Sequence, residues 1–403
     1  MVLSVQFQNA TLARYPEAVT ELAVLALAYG VFGFFNASMQ FISQLANVYA
    51  RSPLANQRTW RFVVIASICI MLPLLAIAST ALGTAFIRLA FSIDETLAAK
   101  VSAYLLLMCP LILLNAQRHF NTGLLIQARL TGWVTVCNFV YLGSVIIMLL
   151  TGFSQGWAPV RVIVGAELVG VSILLALLIF ARTRVYIPPL EAENSEHVDV
   201  TYAQLLKFFI PVSTTGIMFA LSRPVLFAFV ARTPNGLITI AALRVGFDFS
   251  ALFQQAANQF RHFFISFGFD DLPAKRRFMM IVAAGLTAIM LLFAFTPLAD
   301  LIWGSVMGLP PELMSLSIEV LMITCLMPSI IVYRNYFHSR LMRLRKTAGM
   351  AYGAMTRVLG ILIMASIFFK FGWLNHYTAA AILILGFVIE AAMAQWANYR
   401  ASI

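Results

Sequence analysis

Long apolar segments separated by short polar loops run along almost the whole chain of 403 residues. A helix needs roughly 20 consecutive apolar residues to cross the hydrocarbon core of a bilayer. The pattern predicts eleven full spans, at residues 17–44, 62–91, 99–127, 132–152, 159–182, 203–231, 236–266, 278–303, 312–339, 348–370 and 377–398. The apolar segment 1–13 is too short to cross alone. We interpret it as the second half of a first helix whose start is missing from this sequence, with a signal-like or interfacial segment as the alternative.

The composition supports a membrane protein. Apolar residues make up 61% of the chain and charged residues 11%, against roughly 45–50% and 25% in soluble domains. The net charge of +11 comes largely from basic residues in alternate short loops, which the positive-inside rule places on the cytoplasmic side. We therefore take the charge as a topology signal and not as a nucleic-acid site. It predicts a multi-pass protein of the plasma (inner) membrane, with Arg400 near a cytoplasmic C-terminus.

One polar connection divides the chain near its middle. It predicts an N-terminal lobe at 1–181 (a partial first helix and five transmembrane helices), a cytoplasmic linker at 182–202 and a C-terminal lobe of six transmembrane helices at 203–403. The segment CPLILLNAQRHFNTGLLIQARLTG (109–132) is similar to MPSIIVYRNYFHSRLMRLRKTAG (327–349) at a comparable offset. Transporters commonly carry such repeats as parallel six-helix units. We therefore expect an all-α fold of two lobes with pseudo-two-fold symmetry.

Charged side chains at membrane depth are the candidates for chemistry. Each costs about 2.5–3.5 kcal/mol on insertion scales, so such residues normally face a bundle interior or a water-filled cavity. Six arginines and five acids lie inside the apolar segments: Arg118, Arg223, Arg244, Arg261, Arg334, Arg357, Glu21, Glu167, Asp248, Glu319 and Glu390. Arg244 and Asp248 can pair because they lie four residues apart on one helix. Four of the other arginines have no obvious carboxylate nearby in the sequence.

We predict that these arginines form a positive interior site for an anion, because guanidinium groups bind carboxylate and phosphate oxygens in a planar fork. The predicted substrate-binding residues are Arg223, Arg334, Arg261, Arg118, Arg244, Asn115 and Asn335. Structural or coupling roles are assigned to Arg357, Glu390, Glu167 and Asp248. Arg223 is the strongest candidate, because it lies deep in its segment and Pro224 removes a helical donor beside it. The alternative is that the arginines cap carbonyls, pair with distant glutamates or snorkel to the surface.

Several kinds of function are disfavoured by the motifs. The sequence has no Walker motif, HExxH, nucleophile elbow or catalytic carboxylate pair, so we expect neither an enzyme nor a metal or cofactor site. It has no glycine-rich filter of the kind that ion channels use. The four cysteines lie singly in apolar segments, without the spacing of metal ligands, and are expected to be packing residues.

Several segments carry a resemblance over nearly the whole chain: LLKFFIPV (205–212), SRPVLFAFVAR (222–232), PSIIVYRNYFHSRLMRLRKT (328–347), MTRVLGILI (355–363) and GFVIEAAM (386–393), with a thinner likeness at ANV (46–48). In these the chain resembles the progressive ankylosis protein family, within the superfamily of MATE exporters and oligosaccharide flippases. The positions that match are Arg223, Arg261, Arg334, Arg357 and Glu390. The resemblance implies a MATE-like fold and a complete first helix. Vertebrate members of the family are associated with the export of ATP, pyrophosphate and citrate, and we do not carry that substrate over to this chain.

The sequence thus predicts a secondary transporter that exports a multiply charged organic or phosphorylated anion by alternating access. Its expected partners are the lipid bilayer and a small anionic substrate, with a coupling ion left open and a monomer expected. A flippase for a lipid-linked oligosaccharide diphosphate is one alternative, since that diphosphate would also attract arginines. A multidrug exporter for cations would need an excess of acids instead. A membrane scaffold would show fully paired arginines and no cavity.

Overall fold

The computed structural model describes residues 2–185, 200–258, 260, 263–264, 269–343 and 348–402. All regular structure in these ranges is helical. The α-helices are α1 (Val2–Leu12), α2 (Ala18–Asn36), α3 (Ile42–Tyr49), α4 (Pro53–Ser79), α5 (Ala81–Phe91), α6 (Glu95–Gln127), α7 (Thr131–Ser154), α8 (Pro159–Val185), α9 (Tyr202–Val230), α10 (Gly236–Asn258), α11 (Leu272–Phe295), α12 (Pro311–Thr324), α13 (Met327–Arg343), α14 (Ala348–Lys370) and α15 (His376–Ser402). Ten helical segments of the described chain are long and apolar enough to cross a membrane.

The helices form two compact units, each defined by the contacts in space among its own residues. Unit 1 contains Leu27–Ala220, and unit 2 contains Val2–Ala26 and Leu221–Ile403. Helices α2 and α9 therefore contribute residues to both. The division of the chain predicted at 181 and 203 stays a prediction, and most of its linker (186–199) lies outside the described residues.

Local signals divide some of the predicted spans. The predicted span 62–91 is two helices, because Thr80 is extended and its side chain accepts a hydrogen bond from the Gly83 amide at 3.1 Å, which starts α5. The predicted span 17–44 contains a 3₁₀ turn between α2 and α3. The predicted span 203–231 coincides with α9, which continues through Pro224 to Val230. The helix is therefore not interrupted where Pro224 removes a donor beside Arg223.

Small residues let helices pack closely inside each unit. In unit 1, a Cβ added at Gly123 of α6 would lie 2.4 Å from the Ser43 carbonyl oxygen of α3. In unit 2, a Cβ at Gly246 of α10 would lie 2.5 Å from the Val320 side chain of α12. Close approach at small residues is the usual basis of helix association in membranes. All four cysteines are free thiols, and three of them are buried, as expected for packing residues.

Candidate functional site

Unit 2 buries two clusters of charged side chains, and each has one carboxylate between two arginines. The Glu390 cluster contains Arg334, Arg357 and Glu390. The Asp248 cluster contains Arg223, Arg244 and Asp248. Both are built from residues that the sequence placed at membrane depth.

The Glu390 cluster joins the last three helices of unit 2. Arg334 of α13 donates from Nη1 to Glu390 Oε2 of α15 at 3.1 Å, and Arg357 of α14 donates from Nη1 to the same oxygen at 2.5 Å. All three residues are at most 3% exposed. Removing charges from water is costly unless they are paired and hydrogen-bonded, so this shared carboxylate explains how two arginines stand inside one bundle.

Neutral groups complete the Glu390 cluster. The guanidinium carbons of Arg334 and Arg357 lie 5.6 and 4.8 Å from the Phe387 ring centre, one turn before Glu390, at distances where cation–π attraction operates. Arg357 Nε donates to Ser222 Oγ of α9 at 3.1 Å. Arg334 Nη2 donates to Asn258 Oδ1 of α10 at 3.2 Å. The cluster thus connects α9, α10, α13, α14 and α15 through polar contacts.

Asn335 lies beside the Glu390 cluster and hydrogen-bonds both to Arg334 and to α10. Its amide nitrogen donates to the Ala257 carbonyl of α10 at 3.1 Å, and its Oδ1 accepts from Arg334 Nη2 at 3.3 Å. The side chain is fully buried. These contacts hold α13 against α10.

The Asp248 cluster joins α1, α9 and α10. Arg223 Nη1 donates to Asp248 Oδ1 at 2.8 Å, and Arg244 Nε lies 3.7 Å from Asp248 Oδ2. Asn9 of α1 bridges the pair, because it accepts from Arg244 Nε at 3.0 Å and donates to Asp248 Oδ2 at 3.3 Å. The short N-terminal segment therefore places a fully buried amide inside this network.

Exposure distinguishes the four arginines of the two clusters. The Arg223 side chain is 36% exposed, whereas that of Arg244 is 6% exposed and those of Arg334 and Arg357 are 3% and 0% exposed. The Arg223 guanidinium also lies 5.3 Å from the Phe247 ring centre. Arg223 is thus the most exposed arginine of the two clusters.

The predicted residues of unit 1 lie in a separate environment. Arg118 is buried, with its Nη2 2.8 Å from His119 Nε2. Asn115 donates to Asn36 Oδ1 at 3.0 Å. Glu167 accepts from the Tyr141 hydroxyl, with both carboxylate oxygens at 2.9 Å.

The structure corrects one sequence-based inference. Arg223 and Arg334 lack a nearby carboxylate in sequence, yet Asp248 and Glu390 reach them from other helices. Sequence spacing reveals only pairs on one helix, such as Arg244 and Asp248. Arg261 lies outside the described residues.

Several neutral partners of the clusters were not predicted from the sequence: Asn9, Ser222, Phe247 and Phe387. Ser222 and Phe387 belong to the quoted segments SRPVLFAFVAR and GFVIEAAM, so proximity to a charged residue was a usable signal for them. Asn9 gave none, because its segment was judged by its apolar character alone.

Comparison with known proteins identifies the family. The family profile described as "Progressive ankylosis protein (ANKH)" matches residues 3–245 of the chain. The chain belongs to the progressive ankylosis protein family. The matched range covers the part where the likeness quoted above is thinnest and includes Arg118, Arg223 and Arg244. Asp248 lies three residues past its end. Arg334, Arg357 and Glu390 lie beyond it. A search of curated proteins found no significant match.

Solved structures show the fold. An inward-facing multidrug-resistance MATE transporter of the MOP superfamily has a TM-score of 0.78 at 11% identity, with 99% of this chain and 94% of that chain covered. The lipid II flippase MurJ, inward closed, has 0.72 at 15% identity, covering 98% and 85%. The eukaryotic MATE transporter AtDTX14 has 0.64 at 12%, covering 99% and 97%. The predicted all-α, polytopic, MATE-like fold is confirmed. The chain therefore has the fold of membrane transporters of the MOP superfamily, and ten helical segments of its described part are long and apolar enough to cross a membrane.

Proposed function

We propose that this transporter is a secondary exporter of a multiply charged organic or phosphorylated anion, such as ATP, pyrophosphate or a citrate-like molecule, working by alternating access. The observation that carries the proposal is the excess of arginine in unit 2. Two carboxylates are shared among four arginines there, and the guanidinium of Arg223 is partly exposed. A partly desolvated guanidinium is a strong ligand for carboxylate and phosphate oxygens.

The Asp248 cluster explains how Arg223 can alternate between two partners. In the structure Arg223 pairs with Asp248, so its charge is balanced by a carboxylate of the protein itself. When an anion binds the Arg223 guanidinium, two partners of Asp248 Oδ2 remain in place. These are Arg244 Nε at 3.7 Å and the Asn9 amide nitrogen at 3.3 Å. The exchange therefore leaves no buried carboxylate unpaired, which would be costly.

The other predicted binding residues fall into two groups. Arg334 is 3% exposed, so an anion reaches it only when the surrounding side chains move. We assign Arg334, Arg357 and Glu390 to holding the helices of unit 2 together. Arg118, Asn115 and Arg261 keep their proposed place along the anion path. The location we propose is the plasma (inner) membrane, with a cytoplasmic C-terminus and a monomeric transporter.

A flippase for a lipid-linked diphosphate is the second candidate. Unit 1 has an apolar groove of about 310 Å³ between α2, α4 and α9, lined by residues such as Phe34, Pro73 and Phe209. A hydrocarbon tail would fit such a lining, and the fold is similar to that of the lipid II flippase MurJ. Export of cationic drugs is less favoured, because Asp248 and Glu390 are each already paired with two arginines.

Transport by the purified protein in vesicles discriminates these functions. Vesicles are loaded with labelled ATP, pyrophosphate or citrate, and parallel vesicles carry a lipid-linked diphosphate or a cationic dye. We expect efflux of at least one soluble anion, reduced at least about tenfold by Arg223→Ala, which corresponds to the loss of one charge-assisted hydrogen bond.

Arg161→Ala is the matched control, because Arg161 is exposed near the start of α8 and belongs to neither cluster. Efflux in this variant should equal that of the wild type. Movement of the lipid-linked diphosphate or the dye with none of the three anions would overturn the proposal.

A further inference from the structure

A second groove lies on unit 1, between α4, α6 and α8, and the proposed anion site does not use it. Its volume is about 530 Å³. The floor is formed by one face of α6, where Leu113, Gln117 and Asn121 recur every four residues. Helices α4 and α8 form the two walls. Ile68 and Ile179 on these walls are 39% and 43% exposed, so the groove is open along its length.

The groove is apolar at one end and polar at the other. Val64 and Ile68 of α4, Leu113 of α6, and Leu175 and Ile179 of α8 line the apolar part. The polar part comes later on α6 and α8 and earlier on α4, as expected because α4 runs antiparallel to the other two. Arg182 follows Leu175 by seven residues, or roughly 10 Å along a helix. The lining of the groove thus changes from apolar to polar over roughly 10 Å of helix.

Hydrogen bonds connect the polar groups across the three helices, at two positions about one helical turn apart on α6. Trp60 Nε1 of α4 donates to Gln117 Oε1 of α6 at 2.8 Å. Arg182 Nη1 of α8 donates to Asn121 Oδ1 of α6 at 3.1 Å. The Thr183 hydroxyl oxygen donates to the Phe180 carbonyl at 3.0 Å and keeps its lone pairs as acceptors. Together these side chains form a polar head above an apolar trench.

The polar end carries positive charge. Arg182 lines it, and Arg58 and Arg61 near the start of α4 belong to a basic segment that the positive-inside rule places at the cytoplasmic surface. The described residues that line the groove include no carboxylate. Tryptophan is enriched at the boundary between headgroups and acyl chains, and Trp60 lines the polar end of the groove.

We propose that this groove binds an anionic phospholipid of the cytoplasmic leaflet. Its acyl chain would lie along Val64, Ile68 and Ile179, and its phosphate would accept from Arg182, with the Asn121 amide beside it. Basic pockets between transmembrane helices on the cytoplasmic side are the type of site that anionic headgroups occupy. A soluble anion would gain nothing from the apolar trench, whereas each buried methylene of a lipid contributes to binding.

Native mass spectrometry of the detergent-purified full chain tests the proposal. Phosphatidylglycerol and phosphatidylcholine with identical acyl chains are titrated, and bound lipid is counted. We expect phosphatidylglycerol to bind more tightly, and Arg182→Gln to reduce that preference about fivefold, the effect of one basic residue near the headgroups. Arg184→Gln is the matched control, since Arg184 lies at the same helix end outside the groove and should keep the preference.

A second variant tests the trench without changing charge. Ile68→Trp should fill the apolar part and lower the binding of both lipids. Equal binding of the two lipids by the wild type, or an unchanged preference in Arg182→Gln, would overturn the proposal. So would competition by glycerophosphate as strong as that by the intact lipid, because the site would then recognise free phosphate.

The acidic linker that follows α8 in sequence provides a third set of variants for the lipid-binding experiment. Glu191, Glu193, Glu196 and Asp199 follow α8 in sequence, and their neutralisation to amides should leave lipid binding unchanged. Lipid binding that occurs only in the neutralised variant would mean that the linker's acids satisfy Arg182, and the proposal would fail. The readout is lipid binding alone, so it is independent of whether the transporter moves an anion.

Discussion

Glu390 shows at the scale of single residues how a membrane protein can keep arginines in its interior. One of its oxygens accepts from both Arg334 and Arg357, and the Phe387 ring lies against both guanidiniums. Counted together, the three charged groups carry a net positive charge. Removing the carboxylate would leave two cations facing each other, whereas removing Arg334 would leave a neutral ion pair.

This charge count gives an ordered prediction for stability. Glu390→Gln should lower the free energy of unfolding by about 3–5 kcal/mol, the usual cost of breaking a buried pair by removing one partner. Arg334→Met should cost less, because Arg357 and Glu390 remain paired at 2.5 Å. Thermal unfolding of the purified variants in detergent measures both effects.

The double variant is the control for this prediction. Arg334→Met combined with Glu390→Gln leaves one buried cation instead of two, so it should unfold at a higher temperature than Glu390→Gln alone. If Arg334→Met proves as destabilising as Glu390→Gln, the shared carboxylate does not organise the cluster in the way described.

At the scale of helices, close packing depends on positions where no side chain fits. Gly123 of α6 faces the backbone of α3, and an added Cβ would lie 2.4 Å from the Ser43 carbonyl oxygen. Because backbone cannot move aside cheaply, Gly123→Ala should separate α3 from α6. We expect it to destabilise unit 1 by about 1–3 kcal/mol, the usual cost of overpacking.

Gly143 of α7 supplies the matched comparison, since an added Cβ there meets nothing within 4 Å. Gly143→Ala should be neutral or stabilising, because alanine is the better helix former by about 1 kcal/mol. Melting temperatures of the two variants measured side by side decide the matter. Equal effects would show that helix propensity, not close packing, governs these positions.

The helices also show how far sequence alone could go. Hydropathy located the spans because lipid demands long apolar segments with internally bonded backbone. It missed the break at Thr80, since a helix cap is a signal of one or two residues that a long apolar window hides. Residue spacing in the sequence predicted the i, i+4 pair Arg244–Asp248 but not the pairs Arg223–Asp248 or Arg334–Glu390. Pairing between helices depends on how they pack, which one sequence does not reveal.

At the scale of the whole molecule, the chain belongs to the progressive ankylosis protein family and has the fold of membrane transporters of the MOP superfamily. The same fold accommodates proteins named for multidrug resistance and for lipid II flipping. Substrate choice must therefore come from particular side chains and not from the architecture. Under the proposed function, the arginine excess of unit 2 favours an anion over a cation, and Arg223 is the most exposed arginine of the two clusters.

Equilibrium binding of ATP, pyrophosphate and citrate to the purified transporter tests this claim most directly. The wild type should bind at least one of them, more weakly as salt rises, because charge attraction is screened. Arg223→Ala should weaken that binding at least about tenfold. Arg223→Lys should recover part of the loss, because a lysine keeps the charge without the fork. Arg161→Ala should bind as the wild type does. Unchanged binding of every bound anion in Arg223→Ala would contradict the account.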